Sequence, residues 1–342
     1  MSEAAPLPTP RTTFRLIGHE AAERTVLAAF ASGRMPNAWL ISGPRGVGKA
    51  TLAFRIARFL LAHGDGPPGL VPPDDLAVDP QAPAVRLVSA SSHPDLLVIE
   101  RPYLNDRNTE TVDLNITQAR RIAPFLRMRP AEGAWRVVIV DSADALNANS
   151  ANAILKIVEE PPDRSVVLLL AEKPGALLPT IRSRCRRLDL LAMDEVELAQ
   201  LLVADEPGLP GQDAAALARL ASGCLGRALM LQQIGGPALD AAVARLLDGL
   251  PHLDLVAVHD LAGAIAAKGA EDRFDLLATI LDARLGDRAR AAALAGRPDG
   301  LERWVTLWEK SRSLFAQAVA ANLDRRQVIL QVFGEIRAAS RP

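Results

Sequence analysis

The sequence predicts an α/β domain built on a parallel sheet, followed by an all-α region. Three observations predict it. Short apolar runs alternate with helical periods in the first half of the chain, strand signals stop near Asp194, and aromatic residues are only 4% of a chain that is 49% hydrophobic. Strands buried on both faces read as continuous apolar runs, whereas helices that cover a sheet repeat their apolar residues every three to four positions. At 342 residues the chain exceeds one small core, and its apolar content suffices for several, which excludes global disorder.

The elements follow in order. Ala38–Ser42 is a short apolar run ending in a glycine-rich turn, which suits a buried parallel strand. From Thr51 to Leu61 the residues Leu52, Ala53, Ile56, Ala57, Phe59 and Leu60 recur at helical spacing. Gly64 to Pro83 is rich in Gly, Pro and Asp and is expected to be loop. Further strands are expected at Leu96–Ile99, Trp135–Val140 and Val166–Ala171. A helix from Ser150 to Glu159 stops before Pro161-Pro162, where proline cannot continue it. Beyond Asp194 the segments Glu195–Val203, Ala214–Ala221 and Phe274–Leu285 are helical by period. Gly235-Gly236-Pro237 reads as a hinge between two helical domains. Trp304, Leu307, Trp308 and Leu314 read as packing between helices rather than a platform for bases.

Composition narrows the function. A formal net charge of −1 gives no global positive field for nucleic acid, so any DNA contact must be local or come through an assembly. Cys185 and Cys224 form no CxxC pair, so neither a disulfide framework nor a cysteine zinc site is supported. The five histidines are scattered, and His252 and His259, seven apart, read as solvated or capping residues rather than metal ligands. Met1 to Pro10 lacks a basic start followed by an apolar core, and no apolar run reaches the ~20 residues of a membrane helix. A soluble, cytoplasmic protein is expected.

Two segments carry chemistry. Gly43-Pro44-Arg45-Gly46-Val47-Gly48-Lys49-Ala50-Thr51 lies between the first strand and its helix, as in a P-loop. There, glycines let backbone N–H groups wrap phosphates at a helix N-terminus, the lysine reaches the β- and γ-phosphates, and the next hydroxyl holds Mg²⁺. Ala50 stands where that hydroxyl belongs. Thr51 has one, but a single helical step turns it by about 100°. Val137-Val138-Ile139-Val140-Asp141 ends a strand in an acid suited to Mg²⁺. Where a hydrolysing site carries Glu next, this chain has Ser142, which is no useful base at neutral pH. Asp144 stands two residues further on and is expected to point elsewhere. Gly43, Gly46, Gly48, Lys49, Thr51 and Asp141 are therefore the candidate nucleotide-binding residues, in a degenerate set. Its occupant stays open between ATP, ADP and none, with Mg²⁺ placement weakened and intrinsic ATPase activity absent or weak.

The stretch Asn152-Ala153-Ile154-Leu155-Lys156-Ile157-Val158-Glu159-Glu160-Pro161-Pro162 resembles the NALLKxLEEPP segment of bacterial DNA polymerase III clamp-loader subunits, which are AAA+ proteins. Pro179-Thr180-Ile181-Arg182-Ser183-Arg184-Cys185 is similar to their SRC motif. Gly33-Arg34-Met35-Pro36-Asn37-Ala38 is similar to their GRLPHA lead-in, and Ser92-His93-Pro94-Asp95-Leu96 to their HPDL segment. Ala321-Asn322-Leu323-Asp324-Arg325-Arg326-Gln327 resembles the final collar helices. The likeness runs in order over almost the whole chain.

That resemblance implies a RecA-like AAA+ P-loop domain over 1–190, a small helical lid over 191–235 and a helical collar for oligomerisation over 236–342. Gamma and tau ATPase subunits keep both the hydroxyl and the glutamate, whereas delta-prime subunits commonly lose them, as here. The zinc module of the family has no counterpart, because Ala62–Ser92 contains no cysteine. In Gly223-Cys224-Leu225-Gly226-Arg227-Ala228-Leu229 the sensor 2 arginine position holds Gly226, and Ala171-Glu172 replaces the small polar pair near sensor 1. The resemblance gives Arg184 the role of an arginine finger acting in trans on a neighbour's ATP. It also implies gamma/tau and delta subunits, the sliding clamp and primer–template DNA as partners, and no membrane. Without that context, Arg182, Arg184, Arg186 and Arg187 read as a surface cluster of weak ion pairs. An active gamma-type ATPase is the alternative, and a P-loop phosphotransferase acting on a small molecule is a weaker one.

Overall fold

A computed structural model describes residues 9–64, 74–100, 116–132, 135–206, 208–267, 269–295 and 298–340. By contacts the chain forms two compact units, Met1–Asp194 with Gly223–Arg227, and Glu195–Ser222 with Ala228–Pro342. The first unit is α/β and, among the described residues, the second is all helix.

The sheet of the first unit has five parallel strands: β1 (Ala38–Ser42), β2 (Leu96–Ile99), β3 (Arg136–Val140), β4 (Ser165–Ala171) and β5 (Arg186–Asp189), in the order β2-β3-β4-β1-β5. Every residue of β1, β3 and β4 is buried, as the continuous apolar runs require. Alternate side chains go to opposite faces. Trp39, Ile41, Val137, Ile139, Leu168 and Leu170 pack with Leu52, Ile56, Phe59 and Leu60 of the helix Lys49–His63. Leu40, Val138, Val140, Val167 and Leu169 pack with Ile154, Ile157 and Val158 of the helix Ala148–Glu159. This is the expected RecA-like layering, with helices on both faces of the sheet. β1 lies between β4 and β5, so the loop after it opens at the carboxyl edge of the sheet where connections diverge, the usual ligand crevice of such folds.

Expected and observed elements agree closely where apolar runs are long. The helix expected over Thr51–Leu61 runs Lys49–His63, and that over Ser150–Glu159 begins at Ala148, with Asn147 capping it by accepting from Ser150 N. Residues 65–73 of the loop expected over Gly64–Pro83 lie outside the described residues. Strand β5 was not legible, because only Leu188 of its four residues is buried.

Buried charges tie segments of the first unit together. Asp95, 0% exposed, accepts hydrogen bonds from Ala131 N (2.8 Å) and Glu132 N (2.9 Å) and pairs with Arg136 at 3.4 Å. Arg136 also donates to Phe125 O (2.9 Å) and Arg129 O (2.6 Å), so the HPDL-like segment is a structural hub. Arg58 donates to Arg11 O and Thr13 O, and burial lowers its pKa to about 10, with Arg55 adding to the shift.

In the second unit the helices Glu195–Asp205, Gly211–Leu220, Gly236–Asp248, Leu255–Ala266 and Glu271–Leu294 precede Pro298–Ala320 and Arg325–Ala339. The period read over Phe274–Leu285 continues to Leu294. Gly235, at φ +74, caps Gly236–Asp248, so the expected hinge is a turn between two helices that lie largely in one unit. Buried Asp240 binds Arg219 through Oδ2 (2.5 Å) and Arg284 through Oδ1 (2.7 Å), joining three helices. Trp308 donates from Nε1 to Asp282 (2.7 Å) and Leu307 is buried, which fits packing between helices. No single helix among the described residues is long and apolar enough to cross a membrane.

Candidate functional site

The phosphate loop is shaped by three glycines in the left-handed or extended positive-φ region: Gly43 (φ +153), Gly46 (φ +79) and Gly48 (φ +116). Gly48 caps the helix Lys49–His63, so the helix N-terminus with its unpaired N–H groups opens on the loop. A Cβ on Gly43 would lie 2.5 Å from Leu190 O, and one on Gly46 would lie 2.5 Å from Arg227 N. Gly226 N donates to Gly46 O (2.9 Å), and His19 Nε2 donates to Val47 O (2.8 Å). The loop is thus braced by Gly226-Arg227 on one side and by buried His19 on another.

Lys49 and Asp141 are brought to the same edge. Lys49 Nζ donates to Gly43 O (2.8 Å) and Pro44 O (2.9 Å), holding the ammonium against the loop's own carbonyls. Burial lowers its pKa, while Glu172, Asp141 and Asp144 oppose the shift. Burial raises the Asp141 pKa against hydrogen bonding from Ser142 and the charge of Lys49. Thr51 stands one residue beyond Ala50 in the helix, half-buried.

Ser142 and Asp144 follow Asp141 in the chain. Ser142 is in the left-handed region (φ 58) at the head of a short 3₁₀ turn, Ala143–Ala145. The Asp144 carboxylate accepts from Glu172 N (3.1 Å) and Lys173 N (2.8 Å), so it ties the β3 loop to the β4 loop. Glu172, a sensor-region departure in the sequence, adds negative charge beside Lys49 and so opposes a bound phosphate. His19 and the Gly226 contact carried no sequence signal, since each depends on residues far apart in the chain.

Arg184 lies elsewhere. It ends the helix Pro179–Arg184, and the next strand begins at Arg186, which pairs with Trp39 of β1. Gly43 follows β1 at its other end. Four residues of strand rise, roughly 13 Å at ~3.3 Å per residue, separate the Arg186 level from the loop, and Arg184 precedes Arg186. In a parallel sheet this puts the loop on the carboxyl edge and Arg184 on the amino edge. The SRC-like triplet divides its work locally. Ser183 Oγ donates to Thr180 O (3.1 Å), Arg184 points out, and Cys185 is buried, its thiol pushed up to about 11 by desolvation. Arg184 Nη1 donates to Thr180 O (3.1 Å), and Nη2 meets Glu159 Oε1 at 3.0 Å.

Known proteins identify the family. The family described as DNA polymerase III, delta subunit, matches residues 18–194, more than half of the chain. The DNA polymerase III subunit delta' of Pseudomonas aeruginosa is 32% identical over 64% of this chain and 61% of its own length. That of Escherichia coli is 29% identical over 75% and 72%. The gamma/tau subunit of Mycobacterium tuberculosis is 27% identical over 97% of this chain and 59% of its own length. The chain thus spans about three fifths of the first and last of these relatives. A solved gamma-subunit-related protein of Thermotoga maritima aligns with 94% of this chain and all of its own, at a TM-score of 0.47 and 19% identity. The chain belongs to the DNA polymerase III delta subunit family and resembles its delta-prime members.

Proposed function

We propose that the chain is the delta-prime subunit of a clamp loader, supporting ATP-dependent loading of a sliding clamp on to primed DNA. Its own ATP turnover is weak or absent, and Arg184 acts in trans on ATP held by the adjacent subunit. The observation that carries this reading is the placement of Arg184 on the sheet edge opposite its own phosphate loop, exposed and anchored by a buried cysteine. A guanidinium there serves a phosphate only across a subunit boundary. Such a group stabilises charge developing on phosphoryl oxygens and accelerates hydrolysis by about 10³–10⁵. That corresponds to about 4–7 kcal/mol of transition-state stabilisation.

The home site supports the other half. Ala50 offers no hydroxyl to Mg²⁺, Ser142 no base, and Glu172 sets a negative charge beside Lys49. Lys49 and the loop glycines keep the means to hold ATP or ADP. A lid over 191–235 and a collar over 236–342 would place the chain in a ring with gamma/tau and delta subunits, and its DNA contacts would go to phosphates without sequence choice.

A gamma-type ATPase is the second reading, favoured by the intact Lys49 loop and by a gamma/tau match over 97% of the chain. Turnover by the isolated protein, then by a loader assembled with wild-type or Arg184→Ala protein, separates the two. Negligible turnover alone and a loss of DNA-dependent turnover with the variant are expected. Robust turnover alone establishes the second reading instead.

A further inference from the structure

Two of the segments that carry the clamp-loader likeness meet at one ion pair. Glu159 ends the helix Ala148–Glu159, Arg184 ends the helix Pro179–Arg184, and Nη2 of the arginine lies 3.0 Å from Oε1 of the glutamate. We propose that Glu159 is a positioning residue for Arg184, an inference that rests on the finger reading above. Both side chains are about two-fifths exposed, at 41% and 40%. An exposed pair of this kind adds little to folding stability, so the fold does not require it. Direction is what it supplies.

An arginine side chain has many rotamers, and a finger that wanders must be ordered each time a neighbour's phosphate arrives. Here the backbone is fixed by buried Cys185, and Nη1 is held on Thr180 O at 3.1 Å. That bond fixes one arm of the fork and leaves rotation about it. The Glu159 carboxylate takes the second arm and sets the plane of the guanidinium. Two of the five N–H donors are then used, which leaves the others for a phosphate. Ordering one rotamer-rich side chain in advance raises the effective rate about two- to tenfold. The role needs an acceptor oxygen at Oε1 rather than a negative charge, and this separates it from a general electrostatic effect.

The test uses the assembled loader with clamp and primed DNA, carrying wild type, Glu159→Ala, Glu159→Gln, Arg184→Ala or the Arg184/Glu159 double alanine variant. Turnover lost in Arg184→Ala defines the Arg184-dependent rate. Glu159→Ala is expected to lower that rate by about two- to tenfold at saturating ATP, with KM for ATP unchanged. Glu159→Gln, which keeps the acceptor oxygen, should recover most of it, and the double variant should be no slower than Arg184→Ala alone. The inference is overturned if Glu159→Ala turns over at the wild-type rate, if Gln fails to recover the loss, or if the two alanine effects multiply. Loss in Arg184→Ala with none in Glu159→Ala removes the positioning role and leaves the finger standing. No loss in Arg184→Ala removes both.

Discussion

At Asp141, burial pushes the carboxyl upward against the pull of Lys49 and of the Ser142 hydrogen bonds, and burial wins. A raised folded-state pKa means that between the unfolded and folded values the native state keeps a proton the unfolded chain has released. Stability therefore falls as pH rises through that window, and the penalty persists above it. Asp141→Asn has no proton to lose, so its stability relative to wild type should rise from acidic to neutral pH. Urea denaturation of both proteins across that range checks the sign, and a constant difference would contradict it. Asp95 has no exposure and holds two backbone N–H groups and Arg136. Removing one partner of a buried pair strands the other charge, so Asp95→Ala should destabilise the α/β unit by about 3–5 kcal/mol. A thermal melt that matches wild type would show that Arg136 finds other partners.

Among the elements, the strands were legible in proportion to their burial. β1, β3 and β4 are buried throughout and largely apolar because helices cover both faces, and their ends were read to within a residue or so. β5 exposes Arg186, Arg187 and Asp189 at the edge of the sheet, where charge discourages further pairing, and so lost its pattern. The phosphate loop was legible from its glycines, but its bracing was not, because the Gly226 contact joins residues about 180 apart in sequence. That bracing makes a prediction at this scale. Gly46→Ala puts a methyl group 2.5 Å from Arg227 N at φ +79, and strain of about 1–3 kcal/mol should open the contact. Hydrogen exchange at the Gly226 amide, bonded to Gly46 O, should then accelerate. Unchanged exchange would mean that the loop and Gly226-Arg227 are held together by something other than this close approach.

For the whole molecule, the proposed division of labour rests on sheet polarity. A parallel sheet has two different edges, and this one places the glycine loop on the first and an exposed arginine on the second. The sequence announced each motif separately, through Ala50, Ser142 and the SRC-like triplet. It could not announce that Arg184 faces away from its own loop, since that depends on β5 lying beside β1 in parallel. Glu159 meets Arg184 from a helix whose motif had no assigned partner.

The most direct test is single-turnover ATP hydrolysis by a loader reconstituted with clamp, primed DNA and either wild-type or Arg184→Ala protein. With the variant, hydrolysis at the site adjoining this subunit should slow by about 10³–10⁵, so that its share of the amplitude disappears while the isolated chain remains inactive. An undiminished amplitude with the variant would show that Arg184 is no finger, and brisk hydrolysis by this chain alone would establish the gamma-type reading.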